Sequence, residues 1–226
     1  MKILLFDIDG TILHTGGAGK AAMEHALRST FQIEKLIDTV PYGGRTDQAI
    51  SRDLLTVHSL PDTDEFRKKL TDAYLDALPH ELAKKTGVVC PGLRPILEAA
   101  SRQPGVHLGL LTGNVERGAR IKLDHFGLWD TFSFGGYGDD HFHRDDVART
   151  ALAKAERHIG HTVPLDQIWV IGDTPLDVQC ARAIGARAVA VATGWHSIEE
   201  LQQSKPDYLF ADLSSPNELL KDWGLM

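Results

Sequence analysis

Five short apolar runs, each closed by Gly, Asp or Thr, punctuate the 226-residue chain: Lys2–Asp7, Val106–Leu111, Thr131–Phe134, Ile168–Ile171 and Ala188–Ala192. Runs that are apolar throughout, rather than alternating, mark strands buried on both faces, the signature of a parallel sheet. Helical patterns separate them. One is Leu93–Ala100, which follows Pro91-Gly92 and carries Leu93, Ile96, Leu97 and Ala100 at helical spacing; another is Val178–Ile184, closed by Gly185. Strands alternating with helices predict an α/β protein of Rossmann-like type: three layers, α/β/α, around a central parallel sheet. A last short strand is expected at Asp207–Phe210, with a helix beyond it that Ser215 caps and Pro216 starts.

One interval breaks the alternation. Residues 14–90 contain no convincing strand but three helical segments, Ala18–Phe31, Thr46–Val57 and Thr63–Ala83. A crossover needs one helix and a few connecting residues, so this length predicts an inserted helical subdomain. The expected division is therefore a core of residues 1–13 and 91–226 and a helical insertion of residues 14–90. The balance of 24 basic against 31 acidic residues, net −7, argues against nucleic acid or an anionic membrane as partner. No run approaches the apolar length of a membrane span, the N-terminal apolar run is too short for a signal peptide, and two cysteines make no disulfide scaffold. A cytoplasmic enzyme is the expectation.

The chemistry gathers at strand ends. The first strand runs into Asp7-Ile8-Asp9-Gly10-Thr11, and the two-residue period of a strand puts both acids on one side, at the carboxyl end where open α/β sheets bind ligands. The fourth run ends in Gly172-Asp173-Thr174-Pro175-Leu176-Asp177. If these strands are neighbours, four carboxylates converge, and only a cation or a proton lets them persist. An Asp after a strand is commonly a helix cap, which accounts for one of these acids but not for acids beside glycines at two strand ends. The second run ends in Thr112-Gly113-Asn114, where a hydroxyl and free N–H groups at a helix start suit a phosphoryl group.

These elements resemble the haloacid dehalogenase superfamily on its phosphatase side. The matching motifs are Asp7-Ile8-Asp9-Gly10-Thr11, Thr112-Gly113-Asn114 and Gly172-Asp173-Thr174-Pro175-Leu176-Asp177, together with a helical cap inserted after the first strand, so the likeness covers almost the whole chain. The resemblance implies that Asp7 is a nucleophile forming an aspartyl-phosphate and that Asp9 is the general acid and then the base. It further implies that Thr112 and Gly113, with Asn114 beside them, bind the phosphoryl group. Mg²⁺ would be held by Asp7, Asp173 and the backbone carbonyl of Asp9, with support from Asp177. Physical chemistry agrees: two unit charges ~4 Å apart cost on the order of 4 kcal/mol at an effective dielectric near 20, so a phosphate dianion needs a divalent cation here. All-oxygen ligands favour Mg²⁺ over zinc.

The family's third motif is where the chain departs. A lysine is usual after the third strand, yet the stretch reads Tyr137-Gly138-Asp139-Asp140-His141-Phe142-His143-Arg144-Asp145-Asp146. Arg144 is expected to fill the lysine's place, its guanidinium being able to pair a carboxylate and a phosphate at once. Lys122 competes for that role, but its position inside a helix suits packing or solvent better. In the cap, Tyr42-Gly43-Gly44-Arg45-Thr46-Asp47 resembles a substrate-selecting loop, with Arg45 placed to meet a polar group on the substrate and Thr46 to cap the next helix. Gly16-Gly17-Ala18-Gly19-Lys20 lacks the spacing and the following Ser or Thr of a nucleotide-binding loop and reads as a hinge. His141 and His143 read as exposed loop residues, Cys90 and Cys180 as buried small hydrophobes.

The expected function is thus a phosphoglycolate phosphatase-like hydrolase acting on a small phosphorylated metabolite. A β-phosphoglucomutase-like sugar phosphomutase is the enzymatic alternative, distinguished by its product. A non-catalytic binding protein on the same scaffold is disfavoured because Asp7, Asp9 and Asp173 are all present. Dehalogenase relatives lack the acid that Asp9 supplies, and none of Lys20, Lys35, Lys68 and Lys69 stands out as the imine-forming lysine of a phosphonate hydrolase.

Overall fold

The computed structural model describes residues 1–226. Its strands, in chain order, are β1 (Lys2–Phe6), the two-residue β2 (Leu13–His14) and β3 (Val88–Val89), then β4 (Val106–Leu111), β5 (Phe134–Gly136), β6 (Ile168–Gly172), β7 (Arg187–Val191) and β8 (Tyr208–Phe210). The helices are α1 (Ala18–Phe31), α2 (Asp47–Val57), α3 (Asp64–Lys84), α4 (Leu93–Arg102), α5 (Glu116–His125), α6 (Arg144–Ile159), α7 (Pro175–Ala183), α8 (Ile198–Gln203) and α9 (Asn217–Trp223). Six strands form one parallel sheet ordered β5-β4-β1-β6-β7-β8. From β1 the chain builds outward through β4 and β5, then crosses to β6 on the other side. The loops after β1, β4 and β6 therefore diverge around one crevice, the place where open α/β sheets bind ligands.

Strand periodicity divides the core into two layers. Leu4, Phe6, Leu108, Leu110, Trp169 and Ile171 pack on one face with residues of α4, α5 and α9. Ile3, Leu5, Leu111, Val170, Ala188 and Ala190 pack on the other with α6 and α7. Trp223 of α9 closes the first layer edge-on to both Phe6 and Trp169, with ring centroids 6.4 Å apart in each pair.

The third strand differs from expectation. Trp129–Thr131 form a 3-10 turn, and pairing with β4 begins only at Phe134. The strand runs through Gly135 and Gly136, residues of low strand propensity that the apolar pattern passes over. Gly136 is required by packing, since a β-carbon there would lie 2.5 Å from the Val147 carbonyl of α6. At the C-terminus Pro216, not Ser215, occupies the cap position of α9, and no side chain caps that helix.

Between β2 and β3 lie α1, α2 and α3 and no strand. β2 and β3 pair antiparallel, Leu13 with Val89 and His14 with Val88, so the entering and returning chains are tied together at one neck. The three helices build their own apolar cluster from Ala22, Met23, Leu27, Ile50, Leu54, Leu70, Leu75 and Leu78, which Val115 of the sheet domain joins. Thr46 and Thr63 accept hydrogen bonds from Ala49 N and Phe66 N, capping α2 and α3.

Candidate active site

Asp7 continues the ladder of β1, its N–H donating to Ile171 O of β6 at 2.9 Å. This pairing sets its carboxyl beside those of Asp173 in the β6–α7 loop and Asp177 in the first turn of α7. Oxygens of the three lie within 4.8 Å of one another, and all three side chains are buried. Gly10, at φ +85°, turns the chain immediately after Asp9, and Thr11 then donates its hydroxyl to Asp173 Oδ1 at 3.0 Å. The turn needs glycine twice over: the left-handed φ disfavours other residues, and a β-carbon would collide with the Asp173 carboxylate.

Asp9 takes a different direction from the other acids. Its Oδ2 accepts from Lys122 Nζ at 2.6 Å and from Asn114 Nδ2 at 2.8 Å. Asn114 also donates to Thr112 Oγ1 at 2.8 Å and accepts from Lys122 at 2.7 Å, so Thr112, Asn114, Lys122 and Asp9 form one network. Three carboxylates, not four, therefore converge. The expected ligand from residue 9 was its carbonyl, and its carboxylate is occupied by donors from the β4–α5 segment.

Arg144, the first residue of α6, is buried between Asp7 at 3.5 Å and Asp177, with which it makes an ion pair. Its guanidinium thus joins two carboxylates. Asp177 is doubly engaged, since its Oδ2 also accepts from Thr174 N at 3.0 Å and Thr174 Oγ1 at 2.7 Å, capping α7. The capping role considered for these acids thus falls to Asp177. One cation against three buried acids leaves the cluster short of positive charge. Burial pushes the Asp7 carboxyl up to about 7, with Arg144 opposing and Asp177 and Asp9 reinforcing the rise. Burial, reinforced by Asp177 and Asp7, likewise drives Asp173 well above the carboxylate range. An all-oxygen, electron-rich and buried donor set of this kind fits a hard divalent cation.

The loop before α2 closes over these groups. Asp47 N donates to Gly113 O at 2.8 Å, Asp47 Oδ2 accepts from Val115 N at 2.8 Å, and Thr46 Oγ1 donates to Phe142 O at 3.3 Å. Asp47 thereby serves the free N-terminus of α5, which has no cap of its own. Burial raises the Asp47 carboxyl to about 6, against the pull of Lys122 and the Val115 N–H. Arg45, expected to meet substrate, is held within the insertion by Asp53 Oδ2 at 2.6 Å and the Pro41 carbonyl at 3.1 Å. Its backbone carbonyl, not its guanidinium, faces Gly113.

Lys122 is the residue that sequence reasoning discounted. Its neighbours Gly118, Ala119 and Leu123 are the buried residues of α5, so it lies in the apolar stripe of its helix. A lysine in such a stripe has to find a buried anion, and that was the available signal. Asp47 carried no comparable signal. His141 bonds Thr150 Oγ1 at 3.0 Å, and Cys90 and Cys180 are free and buried.

The family model for haloacid dehalogenase-like hydrolases matches residues 4–182. The chain belongs to the haloacid dehalogenase-like hydrolases. It is therefore an enzyme of that family. It is 26% identical over 224 residues to a phosphoglycolate phosphatase of Aliivibrio fischeri, covering 95% of this chain and 97% of that protein. It is 25% identical to the Escherichia coli phosphoglycolate phosphatase, over 97% and 91% of the two chains. Among solved structures, a hydrolase from Pseudomonas syringae superposes with TM-score 0.72 at 21% identity, over 98% and 99%. CbbY from Rhodobacter sphaeroides, in complex with phosphate, superposes with TM-score 0.73 at 16% identity, over 96% of each chain. No helix is long and apolar enough to cross a membrane.

Proposed function

We propose that this hydrolase is a Mg²⁺-dependent phosphatase of small phosphomonoesters, working through an aspartyl-phosphate on Asp7. The observation that carries the reading is the buried group of Asp7, Asp173 and Asp177 at adjoining strand ends, their oxygens within 4.8 Å, with Arg144 against Asp7. In the first step an Asp7 oxygen bonds to phosphorus, the bond from phosphorus to the leaving oxygen breaks, and that oxygen takes a proton from Asp9. In the second, water attacks the phosphorus, Asp9 takes its proton, and Asp7 departs with phosphate released. Asp9 is suited to this traffic because it is partly exposed while the other acids are buried. Thr112 Oγ1 and the Gly113 N–H receive phosphoryl oxygens, with Asn114 holding Thr112. Arg144 aims Asp7 and opposes its protonation.

Asp7, Asp173 and the Asp9 carbonyl would hold the Mg²⁺, with Asp177 in support. A divalent cation there neutralises the phosphoryl oxygens and lowers the cost of ionising the buried acids. In this reading residues 14–90 act as a cap on a catalytic core of residues 1–13 and 91–226, and the Gly43–Asp47 loop shuts water out. Small substrates are supported by the names of the curated relatives and by CbbY, crystallised in mutant form with xylulose-1,5-bisphosphate. The test is orthophosphate release from a panel of phosphorylated metabolites that includes 2-phosphoglycolate, with Mg²⁺ or with excess chelator. Metal-dependent release that Asp7→Asn abolishes is expected. Full activity in chelator overturns the metal's role, and isomerised sugar phosphate without free phosphate replaces the phosphatase by a mutase.

A further inference from the structure

The site contains two buried cations, and a phosphatase of the kind proposed above needs only one to hold its nucleophile. Arg144 fills that place. Lys122 sits on the other side of the site: its ammonium is 2.6 Å from Asp9 Oδ2 and 2.7 Å from Asn114 Oδ1. No hydrogen bond links it to Asp7, Asp173 or Asp177. Its surroundings come from the cap as well as the core. A β-carbon on Gly19 of α1 would lie 3.5 Å from Nζ. Lys122 is thus buried against the insertion, with Asp9 as the partner of its shortest contact.

Asp9 Oδ2 accepts from both Lys122 and Asn114, whereas no protein donor reaches Oδ1. Two donors on one oxygen fix the plane of a carboxylate and leave the other oxygen as the edge that can exchange a proton. We propose that Lys122 is a positioning residue for Asp9, orienting its free oxygen toward the leaving group when the cap is closed. This rests on the phosphatase reading above and assigns Lys122 a duty separate from that of Arg144. The leaving oxygen of an alkyl phosphate must gain a proton as its bond to phosphorus breaks, whereas p-nitrophenolate departs without one. The consequence of misplacing Asp9 therefore depends on the leaving group. A group that touches the phosphoryl oxygens, or that merely supports the fold, affects both esters alike.

The experiment measures kcat/KM for 2-phosphoglycolate and for p-nitrophenyl phosphate in Lys122→Met and Lys122→Arg, with calorimetry on each. Proton transfer by a positioned acid contributes roughly 10²–10⁴-fold. Lys122→Met is expected to lose on the order of 10²-fold with the alkyl ester and at least tenfold less with the aryl ester, chiefly in kcat rather than KM. Lys122→Arg keeps the charge and hence the fold, and is expected to show the same ordering with a smaller loss. Equal losses on the two esters in the folded variants, or no loss on either, overturn the inference. Asp7→Asn separates the levels: phosphate release surviving that change sinks the phosphatase reading itself, whereas its abolition beside a uniform Lys122 effect sinks only the role of Lys122.

Discussion

Asp7 is buried at a cost to stability. Burial raises its carboxyl from an ordinary 3.8 to about 7, so between those pH values the native state holds a proton that the unfolded chain has released. The stability from this group is full below about 3.8 and is lost as pH rises through 7. Asp7→Asn cannot ionise. In chelator at pH 8 it is expected to melt several degrees above the wild type while turning nothing over, and the gap should close as pH falls toward 4.5. Scanning calorimetry across that range checks it; a gap independent of pH refutes it. Arg144 predicts the opposite sign. It is the sole cation touching Asp7 and Asp177, and removing one partner from a buried ion pair costs about 3–5 kcal/mol. Arg144→Met should therefore lower the urea midpoint sharply at pH 8 and less at pH 5, where the acids can take up protons. At this scale the sequence made the acids and Arg144 legible, because strand-end position and residue chemistry suffice to single them out. It gave Asp9 a separate role only through the family resemblance and did not show that its carboxylate turns away to Lys122 and Asn114. That depends on the turn at Gly10 and on a lysine reaching in from α5, and neither is a property of residues 7–11 alone.

Among the elements, the turn before α2 carries the most consequence for function. Gly44 has φ +67°, and a β-carbon on it would lie 2.6 Å from Oγ1 of Thr174, the residue that follows Asp173 and caps the helix holding Asp177. The insertion can approach the acid cluster this closely because that position has no side chain. Gly44→Ala is expected to hold the turn off the core and lower kcat/KM roughly tenfold, since misplacement of a closing element acts on the reacting geometry. The left-handed strain itself costs only about 1 kcal/mol, so the melting temperature should move little. Gly43→Ala is the control: a β-carbon there meets nothing within 4 Å, and its kinetics should match the wild type. Similar losses in both variants would mean that loop flexibility, not approach to Thr174, is what matters. Helices α1, α2 and α3 and strands β1, β4 and β6 were readable because their apolar spacing is regular and Thr46 and Thr63 announce the starts of α2 and α3. Strand β5 was not, because two of its three residues are glycines, Gly135 crowded by Tyr137 and Leu110 and Gly136 by α6, and such a demand leaves no apolar pattern. The closure of the Arg45 loop was illegible for a similar reason: Asp53 lies eight residues along and one helix turn deeper, and it takes the guanidinium that was expected to face substrate.

The whole molecule sets its acidity against itself at one point. A chain of net charge −7 buries three carboxylates within 4.8 Å and supplies Arg144 alone as a direct partner. Asp173 is the least compensated of them, with only the Thr11 hydroxyl as donor. Gly10 and Gly194 crowd it so closely that a β-carbon on either would strike its carboxylate. If a divalent ion completes the cluster, the ends of β1 and β6 are held together partly by that ion. Its removal should then register in the stability of the entire chain. At a Mg²⁺ concentration about 100 times Kd the native state gains roughly 2.7 kcal/mol by mass action. Asp173→Asn makes the test sharp because its effect changes sign. In chelator the variant lacks one uncompensated buried charge and should melt above the wild type. In saturating Mg²⁺ it has lost a ligand and should melt below it, with phosphate release reduced by at least 10²-fold, on the order expected when a site-assembling group is removed. Melting curves of both proteins in chelator and across a Mg²⁺ titration decide the matter. Parallel curves that never cross would show that Asp173 is held by the fold alone and that no ion shares its oxygens.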